Sequence, residues 1–358
     1  MPGSGTSVSG MRILIVRLGA FGDIIHTLPL AADLNAAGMQ VDWVVEDRWA
    51  PILRGSAALG TIHELPRKSL RIQGSGLAGW WLAVRRLMRQ LRLHDYQVVI
   101  DAQGLAKSAF LAAGAGGRLR IGLGRSQSRE LSWMIADRHA PGGMEHVIDR
   151  QCALALPLLG SAHPRGPWRF PLPAWRSERA WASTWLMRHD IAASGAGRPW
   201  MLNVGAGWPT KVWPLRRQIE FARLLGRRRV PLVLLWGSQA EHDIAEEIIG
   251  EAGYGTLAPP TSIPQLAGLV SAARVVVSGD TGPLHLSLAL GIPALGLFGP
   301  VPATRNGPRG RCYRTLQAPG ALWERHDVTR VDMAAITAEQ AFEQAGQAAG
   351  EQSAVAAY

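Results

Sequence analysis

The stretch MRILIVRLGAFGDIIHTLP, Met11 to Pro29, decides how the rest of the chain is read. Arg12 to Val16 is rich in branched apolar residues, the composition of a buried parallel strand. Leu18-Gly19-Ala20-Phe21-Gly22 interrupts that run, with two glycines able to take positive φ. Asp23 stands at the far end of the break, where a helix N-cap would sit. Ile24, Ile25, Leu28 and Leu30 begin the next apolar pattern. A strand, a glycine loop and a capped helix start form the opening half of a βαβ unit, and ligands of open α/β sheets collect at such strand ends. Asp23 can cap its helix, as any Asp can, or serve as a general base. Spacing does not choose between these roles.

The same rhythm continues outward. VDWVV at 41–45 reads as a second strand and YQVVID at 96–101 as a third, which runs into the loop and helix start AQGLAKS. Between them, residues 64–75 read as a loop carrying Arg67, Lys68 and Arg71. Trp81, Leu82, Val84, Leu87, Met88 and Leu91 then recur at helical spacing, with Arg85, Arg86, Arg89 and Arg92 among them. This is an amphipathic helix whose basic outer side is either solvated or turned to a membrane surface. Residues 122–130 form a polar turn with Arg125, Arg129 and Glu130, and His146 and Arg150 begin another helix. Pro164, Pro167, Pro171 and Pro173 mark a domain boundary. Beyond it MLNV at 201–204, VPLVLL at 230–235, RVVVS at 274–278 and PALGLF at 293–298 read as strands, each ending in a polar or glycine-containing loop. That is a second doubly wound domain. Thr337 and Gln340 have capping-box spacing before a final helix. The expected division is a disordered extension over 1–10, an N-terminal domain over 11–165, a C-terminal domain over 174–330, and a helix and tail over 331–358.

Composition narrows the function. The 358 residues carry 38 basic and 27 acidic side chains, a net charge of +11, which favours anionic partners. No recognised nucleic-acid-binding motif accompanies the charge, so nucleic acid is not the expected partner. Cys152 and Cys312 form neither a metal-ligand pattern nor a disulfide framework, which suits a reducing compartment. The opening MPGSGTSVSG lacks the apolar centre of a signal peptide, and no apolar run reaches the length of a membrane span. The expectation is a cytoplasmic protein, bound to a membrane at most peripherally.

The second domain's loops carry the chemistry. In GDTGPLH, Asp280 can cap the following helix, while Thr281 and Gly282 offer backbone N–H groups at a helix N-terminus, a ready anion site. His285 follows one turn on. Gly205-Ala206-Gly207 with Lys211 is a second loop that could receive a phosphate. Glu241 could accept from a ribose diol or act as the first-turn acid of its helix. No P-loop, no ordered G-x-G-x-x-G, no H-E-x-x-H and no Asp-x-Asp pair is present, so neither a metal nor a cofactor is expected.

Taken in order, RLGAFGDIIHTLP (17–29), VDWVVED (41–47), DAQGLAKSA (101–109), SRE (128–130), PTKVWP (209–214), WGSQAE (236–241), SGDTGPLHL (278–286) and FGP (298–300) resemble the family 9 glycosyltransferases, and DAQGLAKSA resembles the branch that adds the first heptose. The resemblance implies an α/β GT-B fold, two Rossmann-like doubly wound domains facing a cleft. It implies transfer of heptose from ADP-L-glycero-D-manno-heptose to Kdo of the lipopolysaccharide inner core, by an inverting enzyme that needs no metal. Asp23 would be the general base. Lys211, Glu241, Asp280, Thr281, Gly282 and His285 would bind the donor. Arg67, Lys68, Arg71, Arg129 and Glu130 would bind the Kdo-lipid A acceptor, with peripheral contact to the anionic inner face of the cytoplasmic membrane and a monomeric chain. The loop GAGWPT before Lys211 departs from the Thr-rich run of better-known members, which leaves donor contacts over 206–210 open. The alternatives are a family 9 enzyme with another sugar or acceptor, and a sugar-nucleotide 2-epimerase of similar fold.

Overall fold

The computed structural model describes residues 9–66, 76–128, 130–160, 167–320 and 331–355. The chain divides into two units, Met1–Ala174 and Trp175–Tyr358.

In the first unit, β1 (Arg12–Val16), β2 (Gln40–Glu46), β3 (Ile62–Leu65), β4 (Val98–Asp101), β5 (Leu119–Gly122) and β6 (Arg138–His139) form a parallel sheet in the order β3-β2-β1-β4-β5-β6. Helix α1 (Phe21–Ala36) joins β1 to β2, α2 (Gly76–Arg92) precedes β4, and α3 (Ala106–Gly114) joins β4 to β5. Right-handed crossovers that step in opposite directions put α1 on one face, and α2 with α3 on the other. A short helix, α4 (Val147–Cys152), packs beside α1. β1 is therefore covered on both sides, and Ile13, Leu14, Ile15 and Val16 are completely buried. That is why the strand is apolar without alternation. Leu14 and Val16 pack with Val84, Leu87 and Leu91 of α2. Each such side chain contributes about 1.5–3 kcal/mol on full burial.

The second unit repeats the plan. β7 (Trp200–Asn203), β8 (Leu232–Leu235), β9 (Thr256–Leu257), β10 (Val275–Gly279), β11 (Ala294–Phe298) and β12 (Tyr313–Gln317) form a parallel sheet in the order β12-β11-β10-β7-β8-β9. Its helices are α5 (Arg176–Met187), α6 (Leu215–Arg227), α7 (Gln239–Ala252), α8 (Ile263–Ala272), α9 (Gly282–Leu290) and α10 (Ala338–Val355). The Thr337–Gln340 box forms as expected: Gln340 Oε1 accepts from Thr337 N–H at 2.9 Å, and Thr337 Oγ1 from Gln340 N–H at 3.2 Å. Buried Ala341, Ala345, Ala348 and Ala349 let α10 lie close to this sheet, where Phe342 stacks on Trp200 at 5.2 Å. The final helix is thus part of the second unit's core.

Several expectations change. The span 64–75 is not all loop, because β3 takes in Glu64 and Leu65. β5, β6, β9 and β12 also went unread, for they are short or polar strands. Neither Gly19 nor Gly22 has positive φ. Gly22 lies inside α1, and Gly19 is needed for close approach, since a Cβ there would sit 2.9 Å from Trp49 Nε1.

Candidate active site

Each sheet has one point where the strand order reverses, between β1 and β4 in the first and between β7 and β10 in the second. Loops leaving the carboxyl ends of those strands splay apart and leave a crevice for a ligand. Asp23 follows β1 at the first of these points, and Lys211, Asp280, Thr281, Gly282 and His285 follow β7 and β10 at the second.

In the first unit Asp23 is not the N-cap. Ala20 holds that position, and Asp23 is the third residue of α1, its Oδ2 accepting from Ala20 N–H at 3.3 Å. The same oxygen lies 2.7 Å from Arg17 Nη2. The Arg17 side chain is 8% exposed and the Asp23 side chain 45%, so a buried cation orients a carboxylate that solvent or substrate can reach. Arg17 is itself anchored by Nη1 donating to Ala102 O at 2.6 Å. Gln103 Oε1 accepts from Leu18 N–H at 2.8 Å, tying the β1 loop to the β4 loop. Buried Asp101 accepts from the N–H groups of Gln103 and Gly104 at 3.0 and 3.1 Å. Burial pushes its carboxyl up, against those hydrogen bonds and that of Ser108. Glu46, at the end of β2, is flanked by Arg48 at 3.2 Å and Lys107 at 3.5 Å. Sequence reasoning missed Arg17 and Gln103, since an arginine or glutamine beside a loop reads as surface.

Of the expected acceptor residues, Arg67, Lys68, Arg71 and Arg129 lie outside the described residues. Glu130 is described: its Oε2 accepts from Ala106 N–H, the first residue of α3, at 3.1 Å. Glu130 and Leu131 both have left-handed backbone, φ 56° and 53°. Such conformations cost about 1–3 kcal/mol each in residues other than glycine.

In the second unit the residues converge on Asp280. It does not cap α9, whose N-cap is Thr281. Its buried carboxylate instead receives Lys211 Nζ at 2.5 Å on Oδ2, His285 Nε2 at 3.1 Å on Oδ1, and Asn306 Nδ2 at 3.2 Å on Oδ2. Burial alone would raise this carboxyl; the hydrogen bond and charge of His285, with Lys211, outweigh it and hold the group well below the usual carboxylate range. His285 is 4% exposed and no surface decoration. Asn203, at the end of β7, donates to Gly205 O at 2.7 Å and to Thr281 Oγ1 at 3.2 Å, which joins the β7 loop to the start of α9. Glu241 is the first-turn acid of α7, and its Oε2 accepts from Gly237 N–H in the loop after β8 at 2.7 Å, while its carboxylate lies against Gly205 of the β7 loop. The Cβ that Gly205 lacks would stand 2.0 Å from Glu241 Oε1. Asn306 was not anticipated; it ends the short helical turn Ala303–Asn306 after β11, and the adjacency of β11 to β10 brings it to Asp280.

The chain as a whole is similar to known proteins. The profile of glycosyltransferase family 9 (heptosyltransferase) matches residues 84–335. This chain belongs to glycosyltransferase family 9. It is 33% identical over 308 residues to lipopolysaccharide heptosyltransferase 1 of Pseudomonas aeruginosa, covering 84% of this chain and 82% of that one. Against the namesake of Escherichia coli K12 the identity is 29%, over 86% and 94% of the two chains. Among solved structures it is similar to E. coli heptosyltransferase WaaC with ADP, at TM-score 0.74 and 27% identity over 93% of this chain and 98% of the other. The same enzyme with ADP-2-deoxy-2-fluoro heptose gives TM-score 0.72 over the same shares. The fold class is α/β of the GT-B type, with a Rossmann-like sheet in each unit.

Among the described residues, two groups have the make-up of a cation site, Asp42-His63-His94 and His242-Asp243-Glu246. Neither includes a residue of the two clusters above. Asp42 is already engaged by Arg12 Nη2 at 2.9 Å, Thr61 N–H at 2.7 Å and Tyr96 O–H at 2.8 Å. No described helix is long and apolar enough to cross a membrane.

Proposed function

We propose that the protein is an inverting heptosyltransferase that moves L-glycero-D-manno-heptose from ADP-heptose to Kdo of the lipopolysaccharide inner core. The observation that carries this reading is the Lys211–Asp280–His285 cluster at the start of α9, in a family member whose relative of known structure holds ADP and an ADP-heptose analogue.

The donor's diphosphate sits at the first turn of α9, over the backbone of Thr281 and Gly282, where the helix end carries partial positive charge. Lys211 turns from Asp280 to the phosphate, a charge-assisted contact. Asp280 keeps its place through His285 and Asn306. Glu241 receives the ribose hydroxyls. Asp23, held by Arg17, takes the proton from the acceptor hydroxyl. The acceptor oxygen then bonds to the anomeric carbon from the side opposite the diphosphate, the carbon–oxygen bond to the diphosphate breaks, and ADP leaves with the electron pair. One displacement inverts the centre. The α9 terminus and Lys211 stabilise the leaving charge, so no metal enters the step.

Arg67, Lys68, Arg71, Arg129 and Glu130 bind the Kdo carboxylates and neighbouring phosphates of the acceptor. The enzyme works as a monomer, in the cytoplasm, at the inner face of the cytoplasmic membrane. The test is to offer purified protein ADP-heptose and several other nucleotide sugars with a Kdo-bearing lipid A, and to weigh the product. One heptosyl increment, from ADP-heptose alone, is expected. A product formed as readily from another nucleotide sugar, or epimerised donor without transfer, would replace this reading.

A further inference from the structure

Six of the eight large apolar side chains that stand exposed among the described residues belong to the first unit: Trp81, Leu82, Leu93, Phe110, Leu131 and Met134. They come from neighbouring elements. α2 and α3 share one face of the sheet and pack together, and the turn over residues 132–135 packs on α3. Trp81 of α2 meets Phe110 of α3 edge-on at 5.5 Å between ring centres.

The arrangement on α2 is specific. Val84, Leu87, Met88 and Leu91 point into the core. Residues 82, 85, 86 and 89, spaced i, i+3, i+4 and i+7, make the opposite stripe. Leu82, 65% exposed, thus stands in a field of exposed Arg85, Arg86 and Arg89, and exposed Arg92 and Leu93 follow at the helix end. Neither α2 nor α3 contains an acidic residue. A solvated helix face has no use for an exposed leucine and tryptophan among arginines. Large apolar side chains beside uncompensated cations are what a helix presents when it lies in the plane of a lipid surface. Tryptophan suits the boundary between headgroups and acyl chains.

We infer that the α2–α3 face of the first unit is a docking surface for an anionic phospholipid bilayer. Arg85, Arg86, Arg89 and Arg92 meet the headgroups, while Trp81, Leu82 and Phe110 enter the interface. Charge decides against a second copy of the chain, because pairing this face with itself would bring its arginines together. The use of the surface, to carry the enzyme to a lipid-borne acceptor, rests on the function proposed above; the binding itself does not.

The experiment sediments the full-length protein with vesicles of phosphatidylglycerol and phosphatidylethanolamine, or of phosphatidylcholine alone, with no donor or acceptor present. Wild type should bind the anionic vesicles, release in high salt, and leave the neutral ones unbound. Each arginine near such a surface is worth about five-fold in binding. The triple variant Arg85→Gln, Arg86→Gln, Arg89→Gln should therefore partition about 100-fold more weakly at low salt. Leu82→Ser should weaken binding at any salt, and Trp81→Phe should remove part of the quenching by brominated lipids. Unchanged circular dichroism and ADP affinity establish that the variants are folded. Triple-variant binding within two-fold of wild type would overturn the inference. So would a wild-type dimer in sedimentation velocity that Leu82→Ser dissociates. Transfer of heptose to a short water-soluble Kdo acceptor is measured separately; its presence or absence tests the proposed function and leaves the vesicle result standing.

Discussion

Replacing Gly205 by alanine should weaken ADP binding without touching a ligand directly. The backbone at Gly205 is not left-handed, so alanine meets no conformational penalty there. Its Cβ would lie 2.0 Å from Oε1, 2.2 Å from Cδ and 2.5 Å from Cγ of Glu241. No contact that short survives, and the end of a glutamate side chain moves more easily than backbone. Glu241 must swing out, which breaks its 2.7 Å bond from Gly237 N–H and removes the acceptor proposed for the ribose. A hydrogen bond to a charged group contributes about 1.5–3 kcal/mol, so the ADP Kd should rise roughly 10- to 100-fold. Stability should fall modestly: losing the Gly237 bond to the charged carboxylate costs about 1.5–3 kcal/mol, while Gly→Ala in the unfolded chain returns about 0.4–1 kcal/mol. Titration calorimetry with ADP and thermal unfolding read both quantities. Glu241→Ala should give the same loss of affinity, and the double variant no more than either single, because the two changes remove one interaction. An ADP Kd within two-fold of wild type in Gly205→Ala, or two losses that simply add, would refute the reasoning.

Lys211→Ala should raise the ADP Kd by about 10-fold or more, since it removes the proposed phosphate contact and leaves Asp280 buried with one cation fewer; calorimetry reads it, with acceptor KM as the control that should stay put. Turnover should persist in excess EDTA if, as proposed, the α9 terminus and Lys211 compensate the diphosphate; loss of activity restored by Mg²⁺ or Mn²⁺ would reveal a metal step. His63, hydrogen-bonded to the Tyr96 hydroxyl at 2.8 Å, has its pKa held at about 4 by burial first and by His94 second, against 6.5 when free. The fold therefore prefers neutral His63, and that stability is present above pH 6.5 and drains as pH falls toward 4. The loss should be on the order of 2 kcal/mol after solvent screening, and urea unfolding of His63→Gln at pH 7 and pH 4.5 should show a correspondingly flatter pH dependence.

The sequence made the site legible where a continuous apolar strand ran straight into a glycine- or aspartate-bearing loop. β1 into Asp23 and β10 into Asp280 are such places, and there residue order and spatial order coincide. It misread local roles there. Asp23 and Asp280 both looked like N-caps, but a cap signal states only that a small acid precedes a helix. Arg17 draws the first carboxylate inward, and Lys211 and His285 claim the second. Residues that depend on strand order stayed hidden. Asn306 reaches Asp280 because β11 lies beside β10, and Gln103 reaches Leu18 because β4 lies beside β1. Neither adjacency is written in local periodicity. Strands such as β6 and β9 were invisible because two residues at a sheet edge need no apolar run. The basic side of helix α2 was legible, since Val84, Leu87, Met88 and Leu91 are buried as their spacing predicts, but Trp81 and Leu82, read with that apolar stripe, stand exposed.

The central claim is that Asp23 takes the acceptor's proton while the second unit's cluster holds the donor. The measurement that tests it most directly is single-turnover transfer by Asp23→Asn, with its ADP affinity measured on the same protein. General-base loss costs on the order of 10²–10⁴-fold in rate. The account predicts a fall of that size in the transfer rate, with the ADP Kd unchanged. A transfer rate within three-fold of wild type would contradict it.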